Sequence, residues 1–304
     1  MPTRADITYF GAGPALLPTE VLETAAQALL DYKNTGLGIA EHSHRSELAA
    51  TVINEAKADL ADYLDIPTAD YEVVFMQGGG TGEFAASVYN LVGAWVARQH
   101  AAVLKELGEG AEEAAVVAAL RQKVESELKL DYIVTGGWSL KAYQEAIRLV
   151  GPEYVNLVAD ARDENGKFGK IPDQSTWKLS KDAAFVYYCD NETVDGVEFP
   201  EFPQILAPKS DGTGPIVVAD MSSNILSRRI PVSNYSLLFF GAQKNLGSTG
   251  ITVAVIKKTF LPPTTSQPKP ALLRKLGLPI PPIVFHYETI AKNNSLYNTL
   301  SIFE

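Results

Sequence analysis

Apolar positions along the chain change period several times. From Thr19 to Lys33 they recur at helical spacing, opened by Pro18-Thr19 and closed near Gly36. A second helical pattern runs from Ser46 to Leu64. Then come short β-branched or aromatic runs at Tyr71–Met76, Tyr132–Thr135, Tyr154–Ala159, Ala184–Cys189, Ile216–Asp220, Leu237–Gly241 and Ile251–Ile256. Such runs alternating with helical segments predict βα units, hence an α/β fold with a mostly parallel sheet flanked by helices. In these sheets ligands bind outside the carboxyl ends of the strands, so the loops after the runs are where chemistry is expected.

Two stretches depart from the alternation. Gln99–Leu130 is rich in Ala, Glu, Leu and Lys. It reads as one or two amphipathic helices in a solvated surface insertion, with a partner-binding helix as the alternative. Leu261–Pro282 holds seven prolines and reads as a connection crossing the surface.

Composition narrows the function classes. The 304 residues are 46% hydrophobic and 20% charged, which is ordinary globular usage. With 26 Lys and Arg against 36 Asp and Glu, the net charge of −10 and the lack of a basic run argue against nucleic acid or an anionic membrane as partner. The single cysteine, Cys189, excludes an intrachain disulfide and a cysteine zinc cluster. The start MPTRADITYF carries no apolar stretch of signal length, and no window approaches the ~18 apolar residues of a membrane span. A soluble cytoplasmic protein is expected.

Three post-strand loops carry the chemistry. Gln77-Gly78-Gly79-Gly80-Thr81-Gly82-Glu83 joins a strand to a helical pattern. Its glycines would let backbone N–H groups approach a phosphate at a helix start. The loop lacks the Lys-Ser/Thr of a P-loop, and Glu83 stands where a dinucleotide fingerprint needs its third glycine. Asp220 closes an apolar strand, either as a helix N-cap or as an acid facing the site. Lys244 follows the next strand in Phe240-Gly241-Ala242-Gln243-Lys244-Asn245. A glycine cradle, an acid and a lysine at successive strand ends are what pyridoxal 5′-phosphate requires. The cradle takes the phosphate, the acid keeps the ring nitrogen protonated and the lysine forms a Schiff base. Trp138, in Thr135-Gly136-Gly137-Trp138-Ser139, could lie against the ring or pack in the core. Thr193 could bond the ring's polar edge or belong to a turn formed by Asn191 and Gly196.

These blocks resemble the phosphoserine aminotransferases. Phe10-Gly11-Ala12-Gly13-Pro14-Ala15, Ser43-His44-Arg45-Ser46, Gly78-Gly79-Gly80-Thr81-Gly82, Asn191-Glu192-Thr193, Asp220-Met221-Ser222-Ser223-Asn224, Gly241-Ala242-Gln243-Lys244-Asn245 and Asn294-Ser295-Leu296-Tyr297-Asn298-Thr299 occur in that family's order. The resemblance implies a fold-type I, class V large domain and a homodimer with its sites at the subunit interface. It implies Lys244 as the Schiff-base lysine, Asp220 at the ring nitrogen, Trp138 stacked on the ring and Thr193 beside it. Gly80, Thr81 and Gln243 would hold the phosphate, with Asn298 and Thr299 reaching it from the other subunit. His44 and Arg45 would meet the substrate's anionic groups, to which an arginine fork is suited. The implied reaction interconverts 3-phosphohydroxypyruvate plus glutamate with phosphoserine plus 2-oxoglutarate, in serine biosynthesis. The family continues into a smaller C-terminal domain, whereas this sequence stops at Glu304. The expected organisation is therefore an arm over 1–18 and a cofactor-binding domain over 19–304, with the insertion at about 99–130 and no small domain. The alternatives are another fold-type I enzyme, such as an alanine–glyoxylate transaminase or a cysteine desulfurase, and a catalytically silent cofactor-binding module.

Overall fold

A computed structural model describes residues 2–11, 13–108, 110–163, 166–209 and 213–298. Each of the seven β-branched or aromatic runs forms a strand of one sheet, displaced by two residues at most. The first four in chain order are β1 (Tyr71–Met76), β2 (Leu130–Val134), β3 (Val155–Asp160) and β4 (Phe185–Cys189). A separate two-residue ribbon then pairs β5 (Asn191–Glu192) with β6 (Val197–Glu198). The main sheet resumes with β7 (Val217–Asp220), β8 (Leu237–Gly241) and β9 (Thr252–Lys257). The sheet order is β1-β9-β8-β7-β4-β2-β3. Strand β9 runs antiparallel to both neighbours and every other pairing is parallel. Six strands therefore end at the same edge.

Both faces of the sheet are buried, and period-two alternation divides its side chains between two cores. Val74, Met76, Leu237 and Phe239 enter the core under α3 (Gly79–Leu107), α4 (Glu113–Glu127) and α5 (Gly137–Val150). Val73, Phe75, Leu238 and Phe240 enter the other, with Ile53 and Leu60 of α2 (Glu47–Tyr63). Ser46 caps α2, its hydroxyl accepting from Ala49 N at 3.2 Å.

Two expectations change. The stretch read as a solvated insertion is structural: residues 99–107 are the end of α3. Val116, Leu120 and Val124 of α4 are buried at four-residue spacing, and Leu128 and Leu130 continue the burial into β2. The proline-rich stretch is not confined to the surface. Pro270 occupies the first turn of the short helix α6 (Pro270–Leu276), where proline is tolerated, and Leu261, Leu273, Leu276 and Leu278 are buried in the first core. The last helix, α7 (Tyr287–Lys292), packs on β1 through Tyr287 and Ile290. The first helix, α1, covers Thr19–Leu30, stops three residues short of Lys33 and buries no residue. Among the described residues no helix is long and apolar enough to cross a membrane.

Candidate active site

The loops after β1, β2, β4, β7 and β8 meet around a cavity of about 210 Å³. Its walls include Gly80, Thr81, Trp138, Thr193, Asp220, Gln243 and Lys244, seven of the residues singled out from the sequence.

At one end lies the start of α3. Gly78 has φ +110° and Gly79 φ +62°, a left-handed turn that only glycine enters cheaply. This turn brings the first residues of α3 to the cavity wall. The first turn of a helix has no internal partners for its N–H groups and carries partial positive charge. Gln243 adds an amide. It packs so tightly against Gly241 that a Cβ there would collide with it.

Asp220 also lines the cavity, buried. Its Oδ1 accepts from Ser222 N at 2.9 Å and Ser222 Oγ at 2.6 Å. Its Oδ2 lies beside Gly80, where a Cβ would sit 3.7 Å away, an ordinary contact. Burial pushes the Asp220 carboxyl up to about 6, against the lowering hydrogen bonds from Ser222. Asp220 does not cap a helix, because the chain continues from it into a run of turns.

Lys244 lies in the turns after β8, half-buried. The loop is held from three sides. Asn245 Nδ2 donates to Ile225 O at 2.6 Å, Gly241 N donates to Ser222 Oγ at 3.1 Å and Ala15 N donates to Lys244 O at 2.7 Å.

Trp138 forms a side wall in the first turn of α5, with the Lys141 ammonium 4.2 Å from the centre of its ring system. Its position is set by carboxylates that the sequence reading did not single out. Glu192 accepts from Trp138 N and Ser139 N, both at 2.8 Å, and from Ser139 Oγ at 2.5 Å. Asp195 Oδ2 accepts from Gly137 N at 2.7 Å. Both acids sit at the positive end of α5. Gly136 is required there, since a Cβ would run into Glu192 and Asp195. Thr193 sits between them, in the turn of the β5–β6 ribbon. Nothing near α5 in the sequence announces this cap, because its acids come from more than fifty residues downstream.

Three predicted residues among those described are not brought to the cavity. His44 and Arg45 lie on the segment entering α2, outside the cavity lining. Arg45 is exposed, and His44 Nε2 is shielded from solvent without a partner among the described residues. Asn298 is exposed beyond α7, also outside the lining. Thr299 falls outside the described residues. Within one chain the role expected of His44 and Arg45 at the substrate is therefore not met.

The donor set fits pyridoxal 5′-phosphate: amides for a phosphate, an acid for a ring nitrogen, an amine and an indole wall. Among the described residues there is no cluster of three or more His, Cys, Asp or Glu side chains able to hold a metal.

The sequence profile of class-V aminotransferases matches residues 7–159 and 114–273. A phosphoserine aminotransferase of Saccharomyces cerevisiae is 43% identical over 304 residues, covering 99% of this chain and 69% of the yeast protein. The chain belongs to the phosphoserine aminotransferase family. Solved phosphoserine aminotransferases share the fold. That of Bacillus circulans subsp. alkalophilus is 33% identical with a TM-score of 0.71, over 95% of this chain and 64% of its own. That of Trichomonas vaginalis, solved with pyridoxal phosphate bound, is 32% identical with a TM-score of 0.70, over 95% and 65%. The chain thus spans about two thirds of the length of the relatives it matches.

Proposed function

We propose that this phosphoserine aminotransferase family member binds pyridoxal 5′-phosphate at the cavity and transfers an amino group between phosphoserine and 2-oxoglutarate, and between glutamate and 3-phosphohydroxypyruvate in reverse. One observation carries the reading: Lys244, Asp220 and the glycine turn of α3 line one cavity although they lie far apart in the sequence. The cofactor, when bound, supplies an aldehyde that accepts the amino group and a ring that takes up electron density.

The residues divide the remaining work. Gly80, Thr81 and Gln243 hold the phosphate. Asp220 keeps the proton on the ring nitrogen, its Oδ1 fixed by Ser222 and its Oδ2 beside Gly80. Trp138 would cover the ring and Thr193 would bond its polar edge. The Lys244 amine receives the proton from the α-carbon of the amino-acid substrate and returns it on the far side of the transfer.

A second copy of the chain would complete the site. His44, Arg45 and Asn298 do not line the cavity of their own chain, and we assign them, with Thr299, to a neighbour's. There Asn298 and Thr299 would meet the phosphate of the cofactor, and His44 and Arg45 the anionic groups of the substrate. The exposed apolar side chains of the first forty residues, Phe10 and Leu30 foremost, are suited to such a contact.

The test is chemical. Protein incubated with pyridoxal phosphate is reduced with borohydride and digested. The expected result is a cofactor adduct on the peptide carrying Lys244, with the unreduced protein's absorbance changed by phosphoserine. An adduct on other lysines only, or a spectrum insensitive to phosphoserine, overturns the reading.

A further inference from the structure

Behind the ring end of the cavity lies a second acid with no part in the mechanism above. Glu83, one turn into α3 and adjacent to Phe84 of the cavity wall, is fully buried. Its Oε2 accepts one hydrogen bond, from the Tyr287 hydroxyl of α7 at 2.7 Å. Its Oε1 is buried with no partner among the described residues. An ionised carboxylate so placed would hold a buried charge on a single hydrogen bond, and such a group keeps its proton instead.

Among the described residues the charges around Glu83 give it no counter-ion. Strand β8 is uncharged, and the one charge of β9, Lys257, lies at the far end of that strand. Helix α5 directs Glu145 and Arg148 at Tyr89, farther along α3. His286, beside Tyr287, bonds Thr289. The electrostatic partner of Glu83 is Asp220, whose negative charge opposes a second one nearby. Asp220 is itself under the field of Glu192 and Asp190 from beyond β4. Burial, with Asp220 adding to it, pushes the Glu83 carboxyl up to about 7, and where Asp220 has two hydrogen bonds from Ser222 to favour its anion, Glu83 has one from Tyr287.

We propose that Glu83 and Asp220 titrate as one buried acid pair, in which Glu83 is a positioning residue that holds the proton and leaves Asp220 as the anion facing the cavity. This rests on the reading of the cavity as a pyridoxal phosphate site, where the ring nitrogen needs one carboxylate rather than two. It goes beyond that reading by giving the pair, not Asp220 alone, control of the charge at the ring end.

The test is the melting temperature of the protein from pH 5 to pH 9, with and without pyridoxal phosphate. An acid whose value is raised on folding costs stability as pH climbs from its unfolded value through its folded one, so wild type should lose stability in two overlapping steps. Glu83→Gln keeps an acceptor for Tyr287 and should abolish the upper step. Asp220→Asn removes the opposing charge and should move the upper step down. Tyr287→Phe removes the bond that favours the ionised form and should move it up. An upper step that survives in Glu83→Gln, or a midpoint unmoved in Asp220→Asn, overturns the proposal. If Glu83→Gln fails to fold, the opposite shifts of the other two variants decide the matter. Should these shifts appear while pyridoxal phosphate gives neither stabilisation nor a visible band, the cofactor reading fails and the acid pair stands.

Discussion

The ring end of the cavity and the amino-terminal forty residues are built on opposite terms. Asp220 is buried and its Oδ1 is bonded twice, while Glu192 and Asp195 cap the helix that carries Trp138. Helix α1 buries nothing, and Phe10 and Leu30 are 94% and 75% exposed. The first region is organised by its own chain, with polar groups paired inside a low-dielectric wall. The second holds apolar surface that its own chain leaves uncovered. One thread joins them, the hydrogen bond from Ala15 N to the carbonyl of Lys244.

The contrast is sharpened most strongly at Lys244. Lys244→Ala should lower transamination by about a thousandfold or more, since it removes both the covalent anchor and the general base, while the fold survives. Steady-state rates together with circular dichroism check this. Asp220→Asn should come next, with a smaller but large fall in half-reaction rate and looser cofactor retention, read from stopped-flow absorbance and dialysis. Wild-type turnover in that variant would break the assignment of the ring end.

Glu192→Ala tests whether the cap on α5 matters to the site. It leaves Trp138 N and Ser139 N without their acceptor. The expected cost is about 1–3 kcal/mol, measured by urea denaturation, with a shift in Trp138 fluorescence. The smallest effect belongs to the arm. Leu30→Ser should change chain stability by no more than about 0.5 kcal/mol. It should nevertheless weaken self-association in sedimentation runs, because the surface it alters faces outward.

The sheet was legible because its strands combine β-branched or aromatic runs with polar or glycine-rich ends, and each run keeps its identity whatever surrounds it. Lys244, Asp220 and the glycine turn were legible for a related reason: in such a sheet a residue at a strand's carboxyl end has a fixed destination. The helices of 99–130 were legible as amphipathic, but their burial was not: the four-residue apolar spacing of Val116, Leu120, Val124 and Leu128 faces the core instead of solvent. The carboxylates were not legible. Glu192 looked like part of a turn, and Glu83 only like the residue that spoiled a dinucleotide fingerprint. Their meaning depends on Ser139 and Tyr287, 53 and 204 residues away in the chain.

The amino-acid sequence alone determined the strands, the edge at which they end and the kinds of side chain delivered there, since all three follow from local pattern and parallel topology. Only the tertiary structure decided which groups are dry. Whether an acid faces water, caps a helix or keeps its proton depends on neighbours brought from remote parts of the chain, and on how much solvent they displace.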